Sequence, residues 1–228
     1  MHPQRKTVRR AFGLGLLVTL AVLVLGACGG GEKDAKARPL PEDRKALQPG
    51  VYRSEEFEPS LSFRVGEGWE YEPIEASDEL HIVREHGTGG LGFVVSHEVY
   101  KPTKTGTPNV VEAPRDLVGW FQRHPYLRTS EPKPVTVGGV EGVRFDVSVV
   151  DDLPDDHRGR CGSGCVDLGR LSSGSETFLG EGYKLRLTVL EDVEGKTVSI
   201  GFASSAGDFD KFAPEAQKVV DSVKWKGP

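Results

Sequence analysis

The chain lacks most of the signatures that announce chemistry. It has no Gly-x-Ser-x-Gly elbow, so a hydrolase nucleophile has no sequence support. No Gly-Lys-Ser/Thr follows a strand pattern, so the Ser172-Ser173-Gly174-Ser175 stretch is loop composition and not a phosphate cradle. No basic run follows the first ten residues, which argues against nucleic acid. Apolar residues dominate Gly13 to Leu25, but that stretch falls short of the roughly 20 residues a membrane-spanning helix needs. Cysteine is scarce, with three in 228 residues. No internal repeat is evident. Together these absences predict a protein that is not an enzyme and needs no cofactor.

What is present begins at the N-terminus. Arg5, Lys6, Arg9 and Arg10 precede an uncharged run that closes with Leu25-Gly26-Ala27-Cys28. A basic start, an apolar middle and small residues at a cut site mark a secretory signal over residues 1–27. Leu-Gly-Ala-Cys resembles the lipobox of bacterial lipoproteins. The resemblance implies a diacylglyceryl thioether on Cys28, with room for a third chain on its amine, and a protein held by lipid on the outer face of a bacterial membrane. Gly29 rather than Asp follows Cys28, which in a two-membrane cell is compatible with the outer membrane.

Residues 28–50 read as the lipidated cysteine and a flexible tether. Gly29-Gly30-Gly31, Pro39, Pro41 and mixed charges offer no apolar periodicity. Residues 51–228 are then one extracytoplasmic domain, large enough for its own core. The signal carries four of the 29 basic residues and none of the 34 acidic ones, so the remainder has 25 against 34 and a formal charge of −9. Such a surface disfavours anionic partners, nucleic acid and anionic headgroups alike.

Cys161 and Cys165 remain after Cys28. Outside the cytoplasm a pair at this spacing predicts a disulfide, with Gly162 and Gly164 allowing the turn. Redox-active pairs usually have two residues between the cysteines, and this pair has three.

Period-two alternation marks strands over Leu61–Val65, Leu80–Ile82, Leu91–Val95, Val143–Val149, Tyr183–Val189 and Val198–Phe202. Gly87 to Gly90 reads as a hairpin loop that sets His97 opposite Leu80. A first helix follows Pro114, with Leu117, Trp120 and Phe121 on one face, and stops before Pro125. A second runs from about Asp210 to Val223, with Pro214 in its first turn. The order predicts an α+β fold, an antiparallel sheet flanked by helices.

Pro49-Gly50-Val51-Tyr52, Phe57-Glu58-Pro59, Leu61-Ser62-Phe63 and Gly68-Trp69 resemble the opening of a family of small bacterial envelope domains. Asp116-Leu117-Val118, Pro134 to Gly139, Leu185 to Val189 and Val219 to Val223 agree with it. The layout is similar to the PsbP-like sandwich over nearly all of residues 49–225. These motifs are turns and core residues, so they imply a fold and no chemistry. Better understood PsbP-like proteins are accessory subunits, which implies binding of an envelope protein partner.

The most polar stretch runs from Asp151 to Asp167. Asp151, Asp152, Asp155, Asp156 and His157 are weak candidates for a metal, lacking the regular spacing of a calcium loop. His157, Cys161 and Cys165 offer soft ligands only if the cysteines stay reduced. A solvated acidic loop pinned by a disulfide is the plainer reading. Long irregular segments carry recognition more often than strands do, which singles out 100–114 and 151–176. Two functions follow as expectations: a lipid-anchored module that binds an envelope partner, or a receptor for a small ligand or metal at loop 151–167. A deep apolar pocket with convergent polar groups would favour the second.

Overall fold

The computed structural model describes residues 36–103, 109–154, 157 and 159–226. The signal, Cys28 and the lipobox lie outside them. Three sheets are stacked around two helices, and all strand pairs but one are antiparallel. The first sheet holds β1 (Arg38–Pro39), β3 (Gly50–Arg53), β4 (Leu61–Val65) and β17 (Lys224–Trp225). The second, central sheet runs in the order β10 (Leu127–Thr129), β12 (Val140–Val149), β15 (Tyr183–Val193), β16 (Lys196–Ser205), β7 (Gly90–Val95), β6 (Glu79–Arg84), β5 (Trp69–Ala76) and β2 (Lys45–Leu47). β11 (Lys133–Val137) also pairs with β12. The third sheet runs β14 (Glu176–Gly180), β13 (Cys165–Arg170), β8 (Glu98–Tyr100) and β9 (Val110–Glu112).

The expected single sheet flanked by helices is therefore corrected to three sheets. Much of the third comes from the two segments read as loops, 100–114 and 151–176. Their apolar residues are too few to show alternation, yet Tyr100, Val166 and Leu168 are buried. They bury because a second core needs a roof.

That second core follows from register. Leu187 lies opposite Gly201, and Arg186 opposite Phe202. Opposed residues share a face of the sheet. The apolar sets of β12 and β15 (Phe145, Val147, Leu187, Val189) therefore face one way. Those of β16, β7 and β6 (Ile200, Phe202, Leu91, Phe93, Ile82) face the other. The second group packs with Phe63 of the first sheet and with Phe212, Ala216 and Val220 of α2 (Phe209–Asp221). The first group packs with Val166 and Leu179 of the third sheet and with Leu117 and Phe121 of α1 (Leu117–Arg123). Both helices fall where the periodicity sets them. Asp116 caps α1 by accepting the Gly119 N–H at 2.7 Å. Pro214 sits in the sixth position of α2 rather than its first turn. It denies the Asp210 carbonyl a hydrogen bond, and Asp210 is exposed, so solvent is at hand.

Two further expectations change. Leu80 faces Phe93 and not His97, because the β6–β7 connection spans Glu85 to Gly89 and His86 takes a left-handed φ of 66° within it. Residues 36–50 are not a tether. Leu47 pairs with Trp69 on β5 and Arg38 with Tyr52 on β3, and Leu40 and Leu47 join the first core. Two apolar side chains and the open backbone groups of two sheet edges are enough to dock a charged segment. The part of the tether before residue 36 lies outside the described residues.

Chain 51–228 is accordingly expected to be less stable than chain 36–228, by about 3 kcal/mol from the lost burial of Leu40 and Leu47. Urea unfolding of the two measures this, and equal midpoints would show that 36–50 contributes nothing.

Candidate ligand cavity

A cavity of about 280 Å³ lies between the central sheet and the third sheet. Its floor is three rows of side chains that cross the central sheet. Val83, Gly90, Ala203 and Leu185 form the first row; His81, Gly92, Gly201 and Leu187 the second; Val94 and Ser199 the third. In the first two rows large residues stand at the ends and glycine or alanine in the middle. A Cβ on Gly92 would come within 3.2 Å of His81 Nε2, and one on Gly201 within 3.2 Å of Leu185 Cδ1. The glycines thus hold the trough open at its centre. Val99, Leu168 and Gly169 of the third sheet, with Leu117 and Phe121 of α1, close it from above. Phe178 touches the cavity and is 58% exposed, so the cavity reaches solvent beside it.

Leu171 also lines the cavity, and the turn it begins is fastened by buried carboxylates. The Ser172 N–H donates to Asp78 Oδ2 at 2.8 Å, and Ser173 Oγ donates to Glu79 Oε2 at 3.0 Å. His81 Nε2 lies 3.2 Å from Glu79 Oε1 but out of line for a hydrogen bond. Burial pushes the His81 pKa below its ordinary value, against the pull of Glu79 and Glu72. Glu98, the other ionisable residue of the lining, is paired with Arg170 at 2.8 Å.

A second polar region lies under the 100–103 segment. His124 is buried, its ring 5.0 Å from Trp120, and its Nδ1 accepts the Tyr126 N–H at 3.3 Å. The His157 ring packs 4.6 Å from Tyr126. Burial, and then the charge of His157, pushes the His124 pKa down to about 4. Tyr100 donates to Glu176 Oε1 at 2.9 Å, and burial leads the causes that push its pKa up to about 12. Arg160 pairs with Glu176 and its N–H donates to Asp167 Oδ2 at 2.7 Å. The void here is about 10 Å³, room for roughly one water. Segments 100–114 and 151–176 do meet, but what they enclose at this end is packed.

The expected metal residues do not assemble. Asp151 is 82% exposed at its side chain and pairs with Arg128 at 2.7 Å, while His157 is buried against Tyr126. Asp152 is exposed, and Asp155 and Asp156 lie outside the described residues. Cys161 and Cys165 are joined as a disulfide with Cα atoms 6.3 Å apart, so neither offers a thiolate. Among the described residues no group of three or more His, Cys, Asp or Glu side chains is arranged to hold a metal. One Ser-x-x-Lys spacing occurs at Ser130 and Lys133, but Ser130 Oγ is occupied by the Asp146 N–H at 2.9 Å.

The cavity itself went unread in the sequence. Its signal was the alternate face of two strands: Gly90 and Gly92 alternating with Leu91 and Phe93, and Ser199, Gly201 and Ala203 alternating with Val198, Ile200 and Phe202. Small residues stand there where the alternation of residues 143–149 carries charge.

No family model matches the chain, and no curated protein matches it. Among solved structures it is similar to cyanobacterial PsbP (CyanoP) from Synechocystis, with a TM-score of 0.43 and 11% identity, over 89% of this chain and 99% of that one. It is also similar to LpqN of Mycobacterium tuberculosis, described as involved in cell envelope biogenesis, with a TM-score of 0.30 and 8% identity, over 81% of this chain and 91% of that one. At these scores neither likeness carries a functional argument.

The buried His124 sets a pH dependence. Its folded pKa of about 4 lies below the ordinary 6.5, so between those values the unfolded chain binds more protons. Its contribution is intact above pH 6.5 and is lost as the pH falls towards 4, by about 3 kcal/mol in all. Urea midpoints at pH 7 and 4.5 should show this loss, and His124→Gln should reduce it; an unchanged slope in that variant would assign the effect elsewhere.

Proposed function

We propose that this chain is a lipid-anchored receptor of a bacterial envelope that holds a small apolar ligand between its central and third sheets. The cavity is the observation that carries this reading. An enclosed void of its volume, 280 Å³, would cost on the order of 7 kcal/mol at the slope found for core cavities. That is the scale of a whole domain's stability. The mouth at Phe178 lets solvent in, which lowers the cost and gives a ligand water to displace. The volume lies close to the lower end of small-molecule sites, about 300 Å³. The lining is mostly apolar, with His81, Ser96, Glu98, Thr177 and Ser199 as its polar points.

This is the small-ligand alternative of the sequence reading, moved from the acidic loop to the cavity. The metal variant has no support among the described residues. Binding of an envelope protein keeps weaker support, in the exposed Phe178 and Tyr183. The envelope location rests on the sequence of residues 1–28: Cys28→Ala should release the protein from membranes, and retention in the membrane fraction would remove the lipid anchor from this reading.

The ligand is tested by native mass spectrometry of the protein extracted with its own lipids in polymer nanodiscs. A retained mass beyond the anchor is expected. The variant Ala203→Leu, which fills the trough from its floor at a position that already carries a Cβ, should lose that mass and keep the fold. A bare wild-type protein would overturn the ligand reading.

A further inference from the structure

We propose that the cavity selects a small amphiphile with an uncharged head and rejects the matching carboxylate. The proposal rests on the reading of the cavity as a ligand site and adds the chemical class of what it takes. Size sets the first limit. The cavity's 280 Å³ lies close to the lower end of small-molecule sites, about 300 Å³, which a short alkyl chain suits.

Charge sets the second limit. No lysine or arginine lines the cavity among the described residues. Arg170 lies nearby, but its guanidinium is committed to Glu98 at 2.8 Å. His81 is the remaining cationic option, and burial favours its neutral form. Were it protonated, Glu79 Oε1 at 3.2 Å would already balance it, and that carboxylate is buried. A carboxylate ligand would thus give up its hydration without meeting a free cation. It would also meet the field of Glu79, buried beside His81, in surroundings where charge interactions are strong.

An uncharged hydroxyl or ester faces no such penalty. Ser96 Oγ and Ser199 Oγ stand 3.5 Å apart, a contact long enough to yield to a better partner. Both line the cavity, so a polar head has a hydrogen-bonding point on the floor.

The test is isothermal titration of 1-decanol and of decanoate at pH 8. It uses the unlipidated chain 29–228, which contains both cores, after a check for cooperative melting. Decanol should bind about tenfold or more tightly than decanoate. Glu79→Gln, which removes the buried charge beside His81 and keeps polar atoms for Ser173, should narrow the gap at least about threefold. Decanoate binding as tightly as decanol would overturn the selectivity and leave the ligand reading standing. Failure of both to bind would overturn the two together.

Discussion

Opposed residues in a sheet point the same way, so the register between β15 and β16 decides which core each strand feeds. With Leu187 against Gly201 and Arg186 against Phe202, the apolar stripe of the central sheet changes faces at this one pairing. A shift by one residue would align Leu187 with Phe202 or Ile200 and merge the two half-stripes on one face. The observed register instead demands cover on both faces. The first sheet and α2 supply it on one side, and the third sheet and α1 on the other. The crossing point is also where large side chains are missing on the third-sheet side, which is why the cavity sits there.

The polar groups of the molecule follow the same division. On the face opposite the second core, Asp146 accepts from Arg186 at 2.6 and 3.0 Å and pairs with Lys184 at 3.4 Å. Burial would raise the Asp146 pKa, but the hydrogen bonds and charge of Arg186, with Lys184, outweigh it and hold the carboxyl below the usual range. Arg186 also stands over the rings of Phe202 and Phe209, 5.8 and 5.5 Å from their centroids. This cluster marks the edge of the first core, where α2 runs out of apolar partners on β12 and β15. Charge is thus placed to stop a core from spreading across the face its register leaves bare. The cost is small because each member is satisfied by the others.

The legible part of the structure was local. Alternation located most of the long strands, and the i, i+3, i+4 spacing of Leu117, Trp120 and Phe121 located α1. Spacing, the intervening glycines and the expected compartment together pointed to the Cys161–Cys165 bond. Facing was not legible, because alternation says that Leu187 and Ile200 each lie on an apolar face but not that the faces differ. Short strands were not legible either. β8, β9 and β13 hold few apolar residues each and gain their order from pairing partners distant in sequence. The metal candidates failed for the same reason: clustering in sequence put Asp151 and His157 six residues apart, and the fold gave one to Arg128 and the other to Tyr126.

The cavity survives because its walls are held by polar contacts rather than by apolar filling. The turn at Leu171 is fastened through Asp78 and Glu79, which are 2% and 3% exposed. Buried carboxylates are costly unless satisfied, and backbone and hydroxyl donors from residues 172 and 173 satisfy one oxygen of each. If the turn moved inward to fill the trough, both carboxylates would lose donors. If the floor were filled by larger residues at Gly92 or Gly201, they would meet His81 or Leu185 at about 3.2 Å. Collapse from above breaks buried hydrogen bonds, and collapse from below meets side chains already in place. A void in an ordinary core has no such opposition and closes by small relaxations. Opposition from both sides is what distinguishes a cavity that a sequence maintains from one left by imperfect packing.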